Sequence, residues 1–179
     1  MRHLNCEIHP PAIIIKYYDS PCGRLMLGSF GNCLCLCDWL SGKTNERIHA
    51  RIIKQLRAEF SEGTSACLDM ATSQLNEYFA GKRRDFDVPL LSIGTEFQKY
   101  VWKKLMDVPY GATESYGALA MRVGTPSAVR AVANANGANP ISIFVPCHRI
   151  IGSNGSLTGY GGGLAVKQFL IRLESDNSE

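Results

Sequence analysis

Cys147, His148 and Arg149 stand together in the stretch FVPCHRIIGSNG, residues 144–155, between an apolar run and a Gly-containing turn. The chain has seven cysteines, and only this one is followed by His and Arg. A thiol attacks as the thiolate, and it needs a base or positive surroundings to become one. His148 is the nearest base, and Arg149 adds charge. Neighbours in an extended chain point to opposite faces. Thiol and imidazole therefore meet only if the chain turns at 147–148 or if a water bridges them. The imidazole in turn needs an orienting carboxylate, and Glu174, at the end of the last helical segment, is the best candidate. Cys, His and an acid make an activated-thiol relay. Against this stands the plain reading, in which Cys147 is a small packed residue that precedes a histidine.

The elements around this stretch are legible from pattern and punctuation. Residues 141–145 are short and apolar and suit a buried strand entering Pro146-Cys147. Asn154-Gly155 is a hairpin turn signal. Residues 159–163 form a loop in which four of five residues are Gly, and residues 164–174 read as a final helix packing Val166, Leu170 and Leu173. Upstream, Thr95-Glu96-Phe97-Gln98 is a capping box opening a helix whose Phe97, Val101 and Leu105 share a face. Ser115 caps a short helix that Gly124 ends. Thr125-Pro126 then restarts one, with Thr as N-cap and Pro at the first position, running to about Asn136. Two helices joined by a tight Gly turn make a helix-turn-helix signature, which serves DNA readers and also helix pairs that only pack a core.

The first half reads differently. Residues 13–18, 24–28 and 33–39 look like three strands joined by Asp/Ser/Pro/Gly and Gly-Asn turns, an antiparallel meander. Ile48, Ile52, Ile53, Leu56 and Phe60 then recur at helical spacing, and a second helix spans about 67–79, stopping at Gly81. The charged, Pro-terminated segment 82–89 divides the chain into residues 1–90 and 91–179, and its Lys82-Arg83-Arg84 reads first as a solvated face.

A chain of 179 residues with 45% hydrophobic and 20% charged content suits a globular protein with a real core. No segment approaches the about 20 apolar residues of a membrane span. Met1-Arg2-His3-Leu4-Asn5 leads into no apolar signal region, so a cytoplasmic location is expected. Seven cysteines without an even framework point to free thiols. The net charge of +3 permits nucleic-acid binding without demanding it. Cys33, Cys35 and Cys37 would place three thiols on one strand face. With Cys6, His9 and His49 they could be imagined around zinc, but alternating strand residues rarely converge on one ion, so core packing is expected and no metal.

Val145-Pro146-Cys147-His148-Arg149-Ile150-Ile151-Gly152, preceded by Asn139-Pro140 and followed by Gly159-Tyr160-Gly161-Gly162-Gly163, resembles the methylated-DNA–protein-cysteine methyltransferases, or O6-alkylguanine-DNA alkyltransferases, in their bacterial stand-alone form. The resemblance is strong over residues 95–174 and looser over 12–40, where Ser20-Pro21-Cys22-Gly23-Arg24-Leu25 fits the family's opening. It implies an α+β fold: an N-terminal ribonuclease H-like domain with a small antiparallel sheet and helices, then a mainly helical, winged-helix-like domain carrying the helix-turn-helix.

The resemblance also implies roles. Cys147 would accept the alkyl group through a Cys–water–His–Glu relay of Cys147, His148 and Glu174, with Asn139 holding the tight turn. Arg130 would enter the duplex in place of the flipped base, its helix in the minor groove with Ser127, Ala128 and Ala131 allowing close approach. Tyr116 would press the 3′ phosphate, help rotate the nucleotide out and protonate the guanine ring. Val145, Pro146, Ile150, Tyr160 and the amide of Gly161 would line the base pocket. The implied partner is double-stranded DNA bearing O6-alkylguanine, with O4-alkylthymine as a second substrate. No cofactor is implied, and the expected state is a monomer, with clustering on DNA left open. Two departures stand out. Asn134-Ala135-Asn136-Gly137 lacks the bulky Met-Arg of some animal members, and Gly161 stands where other members have Ser or Ala. Two other functions fit parts of the pattern: an alkylated-DNA sensor that transfers nothing, and a cysteine hydrolase using Cys147, His148 and Asn139.

Overall fold

The computed structural model describes residues 11–41 and 45–178. Its first half is a four-stranded sheet. β1 (Ala12–Ser20), β2 (Gly23–Phe30) and β3 (Cys33–Trp39) form the expected antiparallel meander, and the β2–β3 turn uses Gly31 at φ 56°. A fourth strand, β4 (Glu59–Glu62), pairs parallel to β1, giving the order β3-β2-β1-β4. Phe60 therefore lies on a strand; α1 (Asn45–Leu56) ends before it, and Arg57 at φ 51° turns the chain into β4. The helical spacing of Phe60 with Leu56 was coincidental.

One sheet face buries Ile13, Ile15, Met26, Cys35 and Leu36 against Ile48 and Ile52 of α1. The other buries Leu25, Leu27, Leu34, Cys37 and Trp39 against α2 (Ala66–Phe79) and the second half of the chain. Each fully buried Leu or Ile contributes roughly 1.5–3 kcal/mol of transfer free energy, so this shared core joins the halves. The three β3 thiols do not share a face. The β2–β3 register shifts between Gly28 and Ser29, leaving Cys35 as the extra residue of a bulge, and Cys35 and Cys37 enter opposite clusters. Among the described residues no group of three His, Cys, Asp or Glu side chains is placed to hold a metal; Cys6 and His9 lie outside those residues.

The segment joining the halves is packed. Phe86 sits 4.4 Å from the Phe144 ring, Val88 is buried, and Leu90 bridges to Leu34 on the free edge of β3. Arg83 pairs with Glu77 at 2.6 Å and with Asp87 at 3.1 Å. Ile141 bridges to Cys37 farther along the same edge, so β3 is covered by both the connecting segment and the loop that leads to Cys147.

The second half holds α3 (Glu96–Leu105), α4 (Tyr116–Arg122), α5 (Val129–Gly137) and α6 (Leu164–Asp176). Two-residue strands β5 (Glu114–Ser115) and β6 (Ile150–Ile151) pair in parallel. The Thr95–Gln98 capping box forms in both directions, and the Ser115 hydroxyl caps α4 by accepting from the Ala118 amide. Thr125, in contrast, caps no helix. Ala128 N donates to Thr125 O at 2.9 Å, closing a separate turn, and α5 begins three residues after Pro126 with Ala128 as its N-cap. Ser127 and Ala128 thus belong to the turn between the helices, and Ala131 to α5. Asn154-Gly155 does turn the chain, with Gly155 at φ 79°, but no hairpin flanks it: β6 pairs with β5. Among the described residues, no helix is long and apolar enough to cross a membrane.

Candidate active site

Residues 139–149 form a knot of tight turns rather than the expected strand. Phe144 N donates to Ser142 O at 2.9 Å across Ile143, whose φ is 73°. A β-branched residue in that region stores about 1–3 kcal/mol and persists only where its surroundings fix it. Here Asn139 fixes it. Its Oδ1 accepts from Ile141 N at 3.0 Å and its Nδ2 donates to Val145 O at 2.9 Å, stapling both sides of the turn. Cys37 adds two backbone bonds, to Pro140 O at 2.9 Å and from Ser142 N at 2.7 Å. A second tight turn follows at Pro146, where Cys147 N donates to Val145 O at 2.8 Å, and Cys147–Arg149 form one turn of 3-10 helix. The chain therefore turns at the thiol, and His148 is not forced to the opposite face.

The elements bring His148 and Glu174 together. His148 Nε2 lies 2.7 Å from Glu174 Oε1, and both side chains are 1% exposed or less. Three further groups hold the carboxylate. Tyr78 OH donates to Oε1 at 2.7 Å, Arg149 Nε donates to Oε2 at 2.8 Å and its Nη2 to Oε1 at 3.1 Å, and Gly111 N donates to Oε2 at 3.3 Å. Burial alone would raise the Glu174 pKa, but the His148 and Arg149 hydrogen bonds and charges outweigh it and pull it down to about 2. Burial pushes the His148 pKa below its ordinary value, against the pull of Glu174. An ionised carboxylate only accepts, so Nε2 carries the hydrogen and Nδ1 the lone pair. Nδ1 is buried and has no hydrogen-bond partner among the described residues. It is an imidazole base aimed by its other nitrogen.

Burial raises the Cys147 thiol pKa, while a hydrogen bond from Asn139 and the positive charge of Lys167 act to lower it. Lys167 is itself buried, with Nζ donating to Ile150 O at 2.5 Å and to Thr158 O at 2.8 Å. Desolvation drops its pKa to about 8. Asn136, also buried, donates to Cys147 O at 3.4 Å and to Tyr116 OH at 3.5 Å.

Two spaces meet at this site. A small cavity of about 10 Å³ is lined by Cys147, Asn136, Asn139, Ser142, Tyr160 and Gly161, among others. Beyond it lies an open groove of about 1150 Å³ walled by Tyr116, Arg130, Gly161 and Gly162 together with Arg47 and Arg51 of α1. Gly159, Tyr160 and Gly161 line both spaces. Arg130 and Ala131 are exposed on α5 and Ser127 on the preceding turn. Of the residues expected around a base, Tyr160 and Gly161 line the cavity, whereas Val145, Pro146 and Ile150 are buried behind it.

Several participants escaped the sequence reading. Tyr78 stands 96 positions from its partner Glu174 and nothing local marks it. Lys167 had a signal: Lys167, Leu170 and Glu174 occupy one buried helical stripe, and two charges in an apolar stripe are costly unless used. Arg149, expected only to add charge, is the main support of Glu174.

Comparison with known proteins places the chain in a family. Residues 13–91 match the ribonuclease-like domain of 6-O-methylguanine DNA methyltransferase, and residues 96–176 match the DNA binding domain of the same family. A methylated-DNA–protein-cysteine methyltransferase of Mycobacterium bovis is 46% identical over 160 residues, covering 89% of this chain and 91% of that protein. One from Methanosarcina barkeri is 45% identical over 164 residues, covering 90% and 98%. The crystal structure of Mycobacterium tuberculosis OGT in complex with DNA superposes with a TM-score of 0.80 at 42% identity, over 92% of this chain and 94% of that one. Two domain models that together span most of the chain and relatives matched along nearly their whole length converge: the chain belongs to the methylated-DNA–protein-cysteine (6-O-methylguanine DNA) methyltransferase family.

Proposed function

We propose that this chain repairs DNA by moving the alkyl group of O6-alkylguanine, and of O4-alkylthymine, onto Cys147, once per molecule. The observation that carries this is the hydrogen-bond chain from Arg149 and Tyr78 through Glu174 to His148, the residue after Cys147, which leaves Nδ1 buried and without a partner among the described residues. His148 takes the thiol proton at Nδ1 through one bridging water, and Glu174 stabilises the imidazolium. The thiolate attacks the alkyl carbon, a C–S bond forms as the C–O bond breaks, and the electron pair leaves on guanine O6. Tyr116 supplies the proton that lets guanine depart neutral. The product is a thioether, which offers no leaving group to water, so the acceptor is consumed.

A stacked base cannot present O6 to a buried thiol, so the nucleotide must rotate out. Arg130 fills the gap it leaves, from a helix seated in the minor groove with Ser127, Ala128 and Ala131 giving close approach. The cavity beside Cys147 is far smaller than a guanine, so the 159–161 loop must yield to admit the base between Tyr160, Gly161, Val145, Pro146 and Ile150. Residues 1–90 form the supporting domain and 91–179 the acceptor domain. The protein acts in the cytoplasm as a monomer.

Intact-mass spectrometry after mixing with a duplex carrying O6-methylguanine, followed by peptide mapping, tests this. One added methyl on Cys147, saturating at one per chain, is expected. Tight binding without an adduct would indicate a sensor, and neither binding nor adduct would return a hydrolase to consideration. Arg130→Ala should slow reaction with duplex roughly 10- to 100-fold, since the flipped state costs a few kcal/mol, yet leave reaction with free O6-benzylguanine within about threefold. Equal losses on both would remove the finger role.

A further inference from the structure

The N-terminal half lines the cavity with Asp38 and Ile48 and the groove with Arg47 and Arg51, and it also grips the loop between the two spaces through Trp39, the last residue of β3. Its Nε1 donates to Tyr160 OH at 3.0 Å, across 121 positions of sequence, and the two rings meet edge to face with centroids 6.3 Å apart. Gly162 lies flat on the indole: a Cβ added there would stand 2.8 Å from Trp39 Cγ, closer than such atoms approach. The indole is 1% exposed and so has a single seat. Its own backbone is held by the preceding residue, whose Asp38 Oδ1 accepts from Trp39 N at 2.9 Å, and by Asn45 at the start of α1, whose Nδ2 donates to Trp39 O. Tyr160 and Gly162 thus dock on one rigid side chain of the other half, while Gly159 and Gly161 remain the deformable links.

We infer that Trp39 is a positioning residue for alkyl transfer: it pins the loop that separates the groove from Cys147 and sets where Tyr160 stands when the base enters. This rests on the alkyl-transfer reading above. A loop of glycines has many conformations, and one part-buried hydrogen bond to a fixed partner selects the productive ones before substrate arrives. The N-terminal half, on this account, tunes the reaction as well as supporting the fold.

Trp39→Phe keeps a ring under Gly162 and removes the donor together with part of the buried indole volume. One neutral hydrogen bond is worth about 1 kcal/mol, so the saturating rate constant for O6-methylguanine duplex should fall about fivefold. Reaction with free O6-benzylguanine should fall by the same factor, because the loop serves both substrates. The DNA concentration giving half the maximal rate should change less than the rate constant, since Arg47, Arg51 and Arg130 on the other walls of the groove are untouched. In a Tyr160→Phe background, Trp39→Phe should cost less than in wild type, because the bond is already gone. An unchanged rate in Trp39→Phe, or the same loss with and without the Tyr160 hydroxyl, would overturn the inference. Wild-type protein in the same assay separates the two ideas: no methyl transfer by wild type would sink the alkyl-transfer reading, whereas normal wild-type transfer with an indifferent Trp39→Phe would sink this one alone.

Discussion

Cys37 and Cys147 sit in the same hydrophobic cluster, 0% and 5% exposed, and a census of burial would not tell them apart. Desolvation raises both thiols, Cys37 well above its ordinary range. Their neighbours separate them. Cys37 lies mid-strand, and the charges acting on it, from Asp38 and from Cys147 itself, both oppose ionisation. Cys147 opens a one-turn helix beside an Asn donor and a buried Lys, with a free imidazole nitrogen on the next residue. A buried thiol is inert by default, and reactivity requires donors, a cation and a base to be built around it. The construction around Cys147 is costly: Ile143 is strained, Lys167 is desolvated, and Tyr78, Gly111, His148 and Arg149 all converge on the buried Glu174.

The comparison breaks most visibly by exchanging the thiols. Cys147→Ser should abolish methyl transfer beyond detection by intact mass, because a hydroxyl near neutral pH is a far weaker nucleophile than a thiolate. Cys37→Ala should leave the transfer rate within about threefold while lowering stability by about 1–2 kcal/mol, read from denaturant midpoints, through loss of packing volume. A large rate loss in Cys37→Ala with stability intact would mean that the inert thiol is chemically coupled to the active one.

How much of this was legible depends on whether the signal is local. The capping box at Thr95–Gln98, the Ser115 cap and the meander all follow from residues within a few positions, and they stand as read. The turn at Cys147 was posed as an alternative by the geometry of neighbours, and the structure takes it. The failures are where tertiary contacts override pattern. Residues 141–145 look like a strand because they are apolar and β-branched, yet Asn139 and the edge of β3 bend them into turns. Thr125-Pro126 looks like a helix start, yet the chain spends another turn before α5. Strand β4 was hidden by the chance helical spacing of Phe60. In the site, the Cys-His-Arg run announced itself, but Tyr78 and Trp39 act across about a hundred positions, and no single-sequence pattern carries such a pairing.

A pH series sharpens what the Glu174 network contributes to the fold apart from the reaction. The carboxylate has a folded pKa of about 2 against an ordinary 4.5. Its folded form binds fewer protons than the unfolded chain between those values, so stability must fall as pH falls through that window. The contribution is fully present above pH 4.5, is lost progressively toward pH 2, and amounts to on the order of 3 kcal/mol. His148 acts in the same direction at higher pH: buried neutral, it takes up its proton less readily folded than unfolded, so stability also declines as pH drops below its ordinary value of 6.5. Denaturant melts of wild type and Glu174→Gln at pH 7, 5 and 3.5 separate the two. The variant should be less stable at pH 7, because Arg149 is left buried without its counter-charge, and the gap should narrow at pH 3.5. A gap that stays constant with pH would show that Glu174 holds the site by shape and hydrogen bonding alone. The electrostatic contrast between Cys147 and Cys37 would then rest on the Lys167 charge and the Asn139 hydrogen bond, which act on the Cys147 thiol without passing through His148.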